Sequence, residues 1–332
     1  MTTSTRLPLP FLGALLLAAC GTEAGPSAEP SSIEAAATVE ARDIAAGALE
    51  GTWLDAGDDA PVVLIVPGSG PTDRDGNNPG GVRTSSYAKL AEGLGARGIS
   101  SVRVDKRGMF GSEGAGDPNA VTVDLYAADY RSWVAAIREE TGAECVHLLG
   151  HSEGGLMVSA AAQEADGVCS VILLAAPGRP MGDILREQLR ANPANRPVLG
   201  DAFAFIDGLE AGRRVDATNA HPALQGLFAA PVQDFLISVM AVDPAELAGS
   251  LEVPVLVVQG DTDIQVSVAD AQRLSDASGG TLAILPGVNH VLVEAPENRL
   301  LNMATYARAK APISPLVVDA IAPFVRDPDG AP

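Results

Sequence analysis

The stretch VHLLGHSEGG, residues 146–155, decides the fold predicted for this chain. Its first half is apolar, as in a buried strand, and residues 153–164 have the spacing of a helix. Gly150-x-Ser152-x-Gly154 lies at the junction and has the pattern of a nucleophile elbow, a tight turn that exposes the serine hydroxyl. Only small residues fit beside so tight a turn. The stretch therefore predicts a sheet with Ser152 at the carboxyl end of a strand.

Apolar runs alternate with helical stretches on both sides of this junction. Such alternation is typical of βαβ units around a mostly parallel sheet with helices on both faces. The predicted strands are 61–66, 99–104, 145–149, 169–175, 253–258 and 281–285, and the predicted helices are 86–97, 121–140, 153–164 and 268–277. For residues 39–54 we predict one or two earlier antiparallel strands at the edge of the sheet.

The alternation stops between residues 180 and 250. An insertion of about seventy residues between two strands is too long for a loop, so we expect a helical cap at 180–250, after the strand that follows the nucleophile helix. Its predicted helices are 181–190, 199–213 and 222–242. Its phenylalanines form either an apolar roof over the site or the cap's own core. The α/β core then comprises 38–179 and 251–328.

Composition excludes several classes of partner. The chain has 332 residues, of which 47% are hydrophobic, enough for one large α/β domain. With 22 Lys and Arg against 42 Asp and Glu, its net charge of −20 repels nucleic acid and anionic headgroups. No Cys/His cluster with metal spacing, Walker loop or dinucleotide pattern is found, so we expect no nucleic-acid partner, no metal and no cofactor.

The amino-terminal segment is typical of export. Residues 1–19 contain one charge, Arg6, and an apolar run too short to span a membrane. Leu17-Ala-Ala-Cys20-Gly21 resembles the bacterial lipobox, which implies a lipoprotein signal peptide at 1–19, lipidation of Cys20 and a place at the outer membrane facing the periplasm. The anchor would be the only membrane contact, through a tether at 20–37. An ordinary secretory signal with a chance cysteine is the alternative.

The other two cysteines, Cys145 and Cys169, lie at the starts of strands expected to be neighbours. Export would place them in an oxidising compartment, where a disulfide persists. Adjacent strands lie about 4.8 Å apart, within the Cα separation that a disulfide tolerates. A disulfide and two buried thiols both fit the sequence.

From residue 48 to residue 325 the chain resembles the α/β-hydrolase fold family, close to its serine aminopeptidase and esterase branch. The resemblance rests on the elbow, on GSGPTDRDGN at 68–77, which is similar to a segment of one exported bacterial subgroup, and on VRVDKRGMFGS at 102–112. In the last segment the second glycine comes one residue later than in the family's Asp-x-Arg-Gly-x-Gly-x-Ser pattern. We assign Arg107 of this segment an architectural role. The family order is nucleophile, acid, histidine.

A serine nucleophile needs an imidazole to accept its proton and a carboxylate to orient that imidazole. Of four histidines, His147 lies inside a strand, His151 beside the nucleophile and His221 before a proline, so each is interpreted as structural. His290 follows the last strand, where the family places its base.

For the acid, Gly260-Asp261-Thr262-Asp263 follows the penultimate strand. The family pattern strand-Gly-x-x-Asp selects Asp263. Asp261 is the rival, and its expected role is to hold the turn through its side chain.

Two backbone N–H groups are expected to bind the oxyanion of an acyl transfer. One is that of Glu153, and the other, by the family's alignment, is that of Ser69, with Gly70 as the alternative. Many relatives have His-Gly where this chain has Pro67-Gly68, so the support of the loop differs. Arg74 could meet a substrate carboxylate, but an internal salt bridge is favoured.

The sequence thus predicts an exported, lipid-anchored serine hydrolase, a carboxylesterase that cleaves a small-molecule ester through an acyl-enzyme. Ser152 would attack, His290 would remove its proton and Asp263 would orient His290. A peptidase or amidase on the same triad is the closest alternative. A non-catalytic binding protein on the same fold is a further one. No oligomeric state is predicted.

Overall fold

A computed structural model describes residues 41–164, 166–328 and 330. The predicted signal peptide, Cys20 and the tether lie outside the described residues and stay predictions.

An eight-stranded sheet in the order β1-β2-β4-β3-β5-β6-β7-β8 forms the centre of the molecule. Its strands are β1 Ala41–Ala46, β2 Leu49–Leu54, β3 Val62–Val66, β4 Ser100–Val104, β5 Val146–His151, β6 Val168–Leu174, β7 Val255–Gly260 and β8 Thr281–Leu285. The β1–β2 and β2–β4 pairs are antiparallel, and every other pair is parallel. The predicted mostly parallel sheet with an antiparallel edge is confirmed.

Helices cover both faces of this sheet. They are α1 Ser86–Gly95, α2 Val123–Thr141, α3 Glu153–Ala162, α4 Met181–Ala191, α5 Leu199–Glu210, α6 Pro222–Leu227, α7 Gln233–Met240, α8 Pro244–Gly249, α9 Val268–Ser278, α10 Arg299–Met303 and α11 Pro315–Arg326, with 3-10 helices at Phe110–Ala115, Pro193–Val198, Ala230–Val232 and Ala304–Ala307. Side chains of β3 alternate between two hydrophobic cores, as the period of a strand requires: Leu64 packs with α2 and α3, and Ile65 with α1 and α11.

The insertion between β6 and β7 is helical and comprises α4 to α8. The continuous helix predicted at 222–242 is wrong: α6 and α7 are separate, and Pro231, which has no N–H to donate, lies in the 3-10 helix between them. By length and a mean hydropathy of 1.3, Pro222–Met240 could span a membrane. Its Phe228 is instead fully buried against Phe205, with ring centroids 5.4 Å apart, so these phenylalanines form the core of the cap.

Cys145 and Cys169 are joined in a disulfide at the start of the β5–β6 pair, with Cα atoms 5.2 Å apart. The bond closes a loop with a sequence separation of 24 residues. We expect its loss to lower the free energy of unfolding by about 2–4 kcal/mol, because the reduced unfolded chain regains the entropy of that loop. Urea unfolding with and without reductant measures the difference. The double variant Cys145→Ser/Cys169→Ser should have the same urea midpoint whether or not reductant is present. Equal midpoints for oxidised and reduced wild type would contradict this expectation.

Candidate active site

Ser152 is the single residue between β5 and α3, at φ 55° and ψ −126°. A positive φ is costly for a residue with a Cβ atom, so the turn stores strain at this serine. A Cβ atom at Gly150 would overlap the Gly154 carbonyl, and one at Gly154 would lie 2.7 Å from the Val66 carbonyl oxygen. The two glycines therefore let the helix start directly against the strand ends, with Ser152 at the turn.

His290 and Asp263 meet in the loops that follow β8 and β7. His290 Nδ1 lies 2.8 Å from Asp263 Oδ2. The other oxygen of Asp263 accepts the backbone N–H groups of Gln265 at 2.7 Å and Val266 at 3.0 Å. The Asp263 side chain is fully buried. Sequence reasoning paired these two residues, and the structure brings them together.

Asp261 lies two residues earlier and has a different role. Its Oδ1 accepts the backbone N–H of Gly287 at 2.6 Å, which ties the loop after β7 to the loop after β8. Asp261 is exposed and is not among the residues hydrogen-bonded to His290. The structure thus places it in the turn-holding role expected of the rival acid.

The surroundings of Asp263 favour its charged form. Burial alone would raise its pKa, but the nearby His290, its hydrogen bond to that ring and the N–H groups of Val266 and Gln265 stabilise the carboxylate, so the pKa lies below its usual value. Gln259, fully buried in β7, also donates to Asp263 Oδ2 at 3.1 Å. Sequence reasoning missed Gln259, although a polar residue in the apolar run VLVVQG was a usable signal.

Ser152 and His290 line one cavity of about 80 Å³. Its other lining residues are Gly68, Ser69, Gly70, Thr72, Gly76, Asn78, Val82, Ser86, Tyr87, His151, Gln265, Val291 and Tyr306. Among the described residues the Ser152 hydroxyl makes no hydrogen bond, not even to His290. Catalytic hydrogen bonds are often long before substrate binds. The cavity leaves the hydroxyl available on the same side as the imidazole.

The loop after β3 passes directly over Ser152, since a Cβ atom at Gly68 would lie 3.0 Å from the Ser152 Cβ. Within the described chain the Ser69 N–H has no hydrogen-bond acceptor. Glu153 is the first residue of α3, so its N–H has no acceptor within that helix. The Ser69 hydroxyl donates to the Glu153 carboxylate at 3.1 Å, a contact that supports the loop. Both N–H groups thus flank the serine, and Gly70 also lines the cavity.

His151 makes the structural contacts expected of it, and it also lines the cavity. Burial lowers its pKa to about 3, so the ring is neutral and has one donor and one acceptor nitrogen. Its Nε2 lies 2.8 Å from the His290 carbonyl oxygen and must donate; its Nδ1 therefore accepts the Tyr87 hydroxyl at 2.8 Å. The Gly68 N–H donates to the same hydroxyl at 3.1 Å. This network connects the loop after β3 to the backbone of His290.

The family described as serine aminopeptidase, S33 (Hydrolase_4), matches residues 80–297. The chain belongs to this family. It is 27% identical over 241 residues to the esterase EstD of Thermotoga maritima, a match that covers 70% of this chain and 55% of that protein. It is 26% identical over 234 residues to a monoacylglycerol lipase of Mycolicibacterium smegmatis, covering 65% of this chain and 79% of the lipase. The chain thus spans little more than half the length of the first relative.

Solved structures show the same fold in other members of the α/β-hydrolase superfamily. The esterase Pf2001 of Pyrococcus furiosus superposes with a TM-score of 0.53 at 15% identity, over 82% of this chain and 89% of the esterase. Est1E of Butyrivibrio proteoclasticus, solved with ferulic acid, gives 0.52 at 18% identity, over 85% and 99%. The predicted α/β-hydrolase fold is confirmed.

Two arginines of this S33 family member stabilise loops around the cavity. Arg74 Nε donates to Asp105 Oδ2 at 2.7 Å, and the backbone N–H of Arg74 donates to the other oxygen of Asp105. The internal salt bridge favoured by the sequence is present. Its shortest contact is with Asp105, and Glu50 and Asp43 lie 3.5 and 3.8 Å from the same guanidinium. Arg107 Nε donates to Asp129 at 2.9 Å, in keeping with an architectural role.

The remaining histidines lie outside the cavity of the S33 site. His147 Nδ1 lies 2.8 Å from the Ser170 hydroxyl on the neighbouring strand. His221 caps α6 by accepting the N–H of Ala223 at 3.2 Å. Neither residue lines the cavity, and both keep the structural roles expected of them.

Proposed function

We propose that this protein is a serine carboxylesterase that hydrolyses small-molecule carboxylic esters through an acyl-enzyme. The observation that carries the proposal is a single cavity lined by Ser152, Ser69 and His290. The Ser152 hydroxyl has no hydrogen-bond partner among the described residues, and His290 is hydrogen-bonded to Asp263. These are the groups that ester hydrolysis by a serine requires. Family membership and the esterase and lipase names of its relatives support the same reaction.

In the proposed acylation, Ser152 Oγ attacks the ester carbonyl carbon while His290 Nε2 accepts the hydroxyl proton. Asp263 accepts the Nδ1–H of His290 and stabilises the imidazolium that forms. The carbonyl oxygen becomes an oxyanion bound by the N–H groups of Ser69 and Glu153. The intermediate collapses when the alcohol leaves with the proton from His290. Water, deprotonated by His290, then attacks the acyl carbon. The bond to Ser152 Oγ breaks, the carboxylic acid is released, and His290 returns its proton to Oγ.

Esters are favoured over peptides by the chemistry of the cavity wall. A peptidase that acts on a free amino terminus needs an acceptor for a positive α-ammonium group. None of the residues described as lining the cavity is an aspartate or a glutamate. An amino terminus would therefore lose its hydration without gaining a charged partner.

A fluorophosphonate probe and two chromogenic substrates, an ester and an aminoacyl amide, test this proposal. We expect the probe to label Ser152, as located by mass spectrometry of the digested protein, and p-nitrophenyl acetate to be hydrolysed faster than an aminoacyl p-nitroanilide. Faster hydrolysis of the anilide would favour the peptidase. Absence of labelling in the folded protein would favour the non-catalytic binding protein.

The size of the cavity predicts a preference for short acyl chains. At about 80 Å³ it is far smaller than the roughly 300–1000 Å³ of common ligand pockets. Its lining includes the polar side chains of Thr72, Asn78, Gln265 and Tyr306. We expect kcat/KM to fall by about tenfold or more from p-nitrophenyl acetate to the octanoate, because the longer chain has no room.

Tyr306→Ala is the matched variant for this preference. The Tyr306 hydroxyl accepts from the Gln265 side chain at 3.1 Å, whereas the Gln265 backbone N–H donates to Asp263. The substitution therefore enlarges the cavity and leaves the contact between Gln265 and Asp263 in place. The ratio of octanoate to acetate hydrolysis should rise in the variant. A wild type that hydrolyses both esters equally well would rule out the size argument.

A further inference from the structure

Lys106 lies buried beneath the loop after β3, with 4% of its surface exposed. It follows β4 in the segment Val104-Asp105-Lys106, and its Nζ donates to the Gly68 carbonyl oxygen at 2.6 Å. That distance is at the short end for an N–H···O hydrogen bond. Lys106 does not line the cavity, so it acts on any substrate only through the loop.

The carbonyl that Lys106 holds belongs to the same peptide group as the Ser69 N–H. The described chain has no cis peptide bond, and in a trans peptide the C=O and N–H point in opposite directions. Holding the Gly68 carbonyl toward Lys106 therefore turns the Ser69 N–H away from Lys106. Ser69 and Ser152 line the same cavity, and Lys106 is not among its lining residues.

We propose that Lys106 is a positioning residue for the oxyanion hole, because it fixes the Gly68–Ser69 peptide group and strengthens its N–H as a donor. A carbonyl that accepts a strong hydrogen bond polarises its own amide, so the N–H at the other end becomes a better donor. The role rests on the proposed function, since it concerns the oxyanion of that reaction.

Neighbouring side chains also hold the loop around the Gly68–Ser69 peptide group in place. The preceding peptide is also fixed, because the Gly68 N–H donates to the buried Tyr87 hydroxyl at 3.1 Å. The Ser69 hydroxyl donates to the buried Glu153 carboxylate, so the loop is held from both sides. Burial lowers the pKa of Lys106 and raises that of Glu153, and each charge partly offsets the cost of the other. An amine donates as an ammonium does, so the contact with Gly68 persists in either form.

Burying a lysine is costly, and a purely structural role would be served by an apolar side chain of the same length. Lys106→Met tests this distinction, because methionine fills the space but donates nothing. Lys89→Met is the matched control. Lys89 Nζ donates to the carbonyl oxygens of Thr84, Ala309 and Ala311 at 2.6–2.8 Å, and none of these groups belongs to the Gly68–Ser69 peptide group that Lys106 contacts.

The measurements are kcat and KM for p-nitrophenyl acetate, the rate of fluorophosphonate labelling and the Kd of a trifluoromethyl ketone, which forms an oxyanion on the serine. We expect Lys106→Met to lower kcat and the labelling rate by about 10²-fold and to raise the ketone Kd by a similar factor. KM should change by less than about threefold, because a neutral ester carbonyl gains less from the donor than an oxyanion does. Lys89→Met should keep all four values within about threefold of wild type.

A folded Lys106→Met with wild-type kcat, labelling rate and ketone affinity would overturn the role of Lys106. If that variant does not fold, Lys106→Leu, which also donates nothing, replaces it. A fold-decrease in kcat larger than the fold-change in KM supports the role, and lower stability with wild-type kcat overturns it. The labelling rate separates this role from the ester proposal. Labelling that is fast in the wild type and slow in Lys106→Met supports the role even if no ester is cleaved.

Discussion

Replacing Ser152 with alanine is expected to lower kcat for p-nitrophenyl acetate by at least about 10⁴-fold. The alanine has no oxygen to form the acyl-enzyme, and only the oxyanion donors and the imidazole remain to assist attack by water. Fluorophosphonate labelling should be lost with the activity. The reaction is followed by the absorbance of the released p-nitrophenolate, with a blank that corrects for spontaneous hydrolysis.

The substitution is expected to remove the hydroxyl without changing the strain in the turn. The cost of φ 55° comes from the Cβ atom, which alanine retains, so Ser152→Ala should fold with a thermal midpoint close to that of wild type. Ser159→Ala on the same helix is the control: its buried hydroxyl donates to the Gly155 carbonyl at 2.9 Å, outside the cavity. We expect this variant to lose some stability and to retain its kcat. Ester hydrolysis that survives in Ser152→Ala would end the proposed mechanism.

The features that the sequence predicted are those whose causes lie close together along the chain. Strand, glycine turn and helix around Ser152 all fall within residues 146–162, and steric fit at that turn permits few residue types. The predicted core strands and helices lie within two residues of the observed ones for the same reason, since each is a short run with its own periodicity. The pairing of Asp263 with His290 needed the family resemblance in addition.

The features that were missed depend on contacts between distant segments. The His151 ring reaches a carbonyl 139 residues away, and Lys106 reaches one 38 residues away. A lone histidine beside a serine or a lone lysine after a strand has no periodic pattern, so only the folded chain shows what it contacts. α11 is a different case: Val317, Val318, Ile321 and Val325 have the spacing of a buried helical face, and this signal was present but not used.

Asp263→Asn is the second substitution with a large expected effect, a loss of about 10⁴-fold in kcat. Two backbone N–H groups point at Oδ1 of Asp263, so the amide oxygen of an asparagine would occupy that position. Its NH₂ group would then face His290 Nδ1, which must accept rather than donate. The proton of the neutral ring would move to Nε2, the nitrogen that has to take the Ser152 proton.

Contact with Gln259 is expected to add a loss of stability to the effect of Asp263→Asn. Its Nε2 already donates to Oδ2 of Asp263, and the asparagine NH₂ would place a second donor against it. We therefore expect Asp263→Asn to lose stability as well as kcat, measured by urea unfolding and by ester hydrolysis on the folded protein. The KM should stay within a few fold, because Asp263 does not line the cavity.

Asp261→Asn distinguishes the acid from its rival. An asparagine at 261 still offers an oxygen to the Gly287 N–H, and the residue is exposed, so the loop keeps its main contact. We expect its kcat to remain within about threefold of wild type, a change of less than about 0.7 kcal/mol in the barrier. If the loss of activity followed Asp261 instead of Asp263, the 2.8 Å contact between Asp263 and His290 would be a packing contact, and the loop after β7 would have to rearrange for catalysis. The contrast between these two isosteric substitutions, two residues apart on one loop, therefore tests whether the carboxylate that touches His290 is the one that makes it a base.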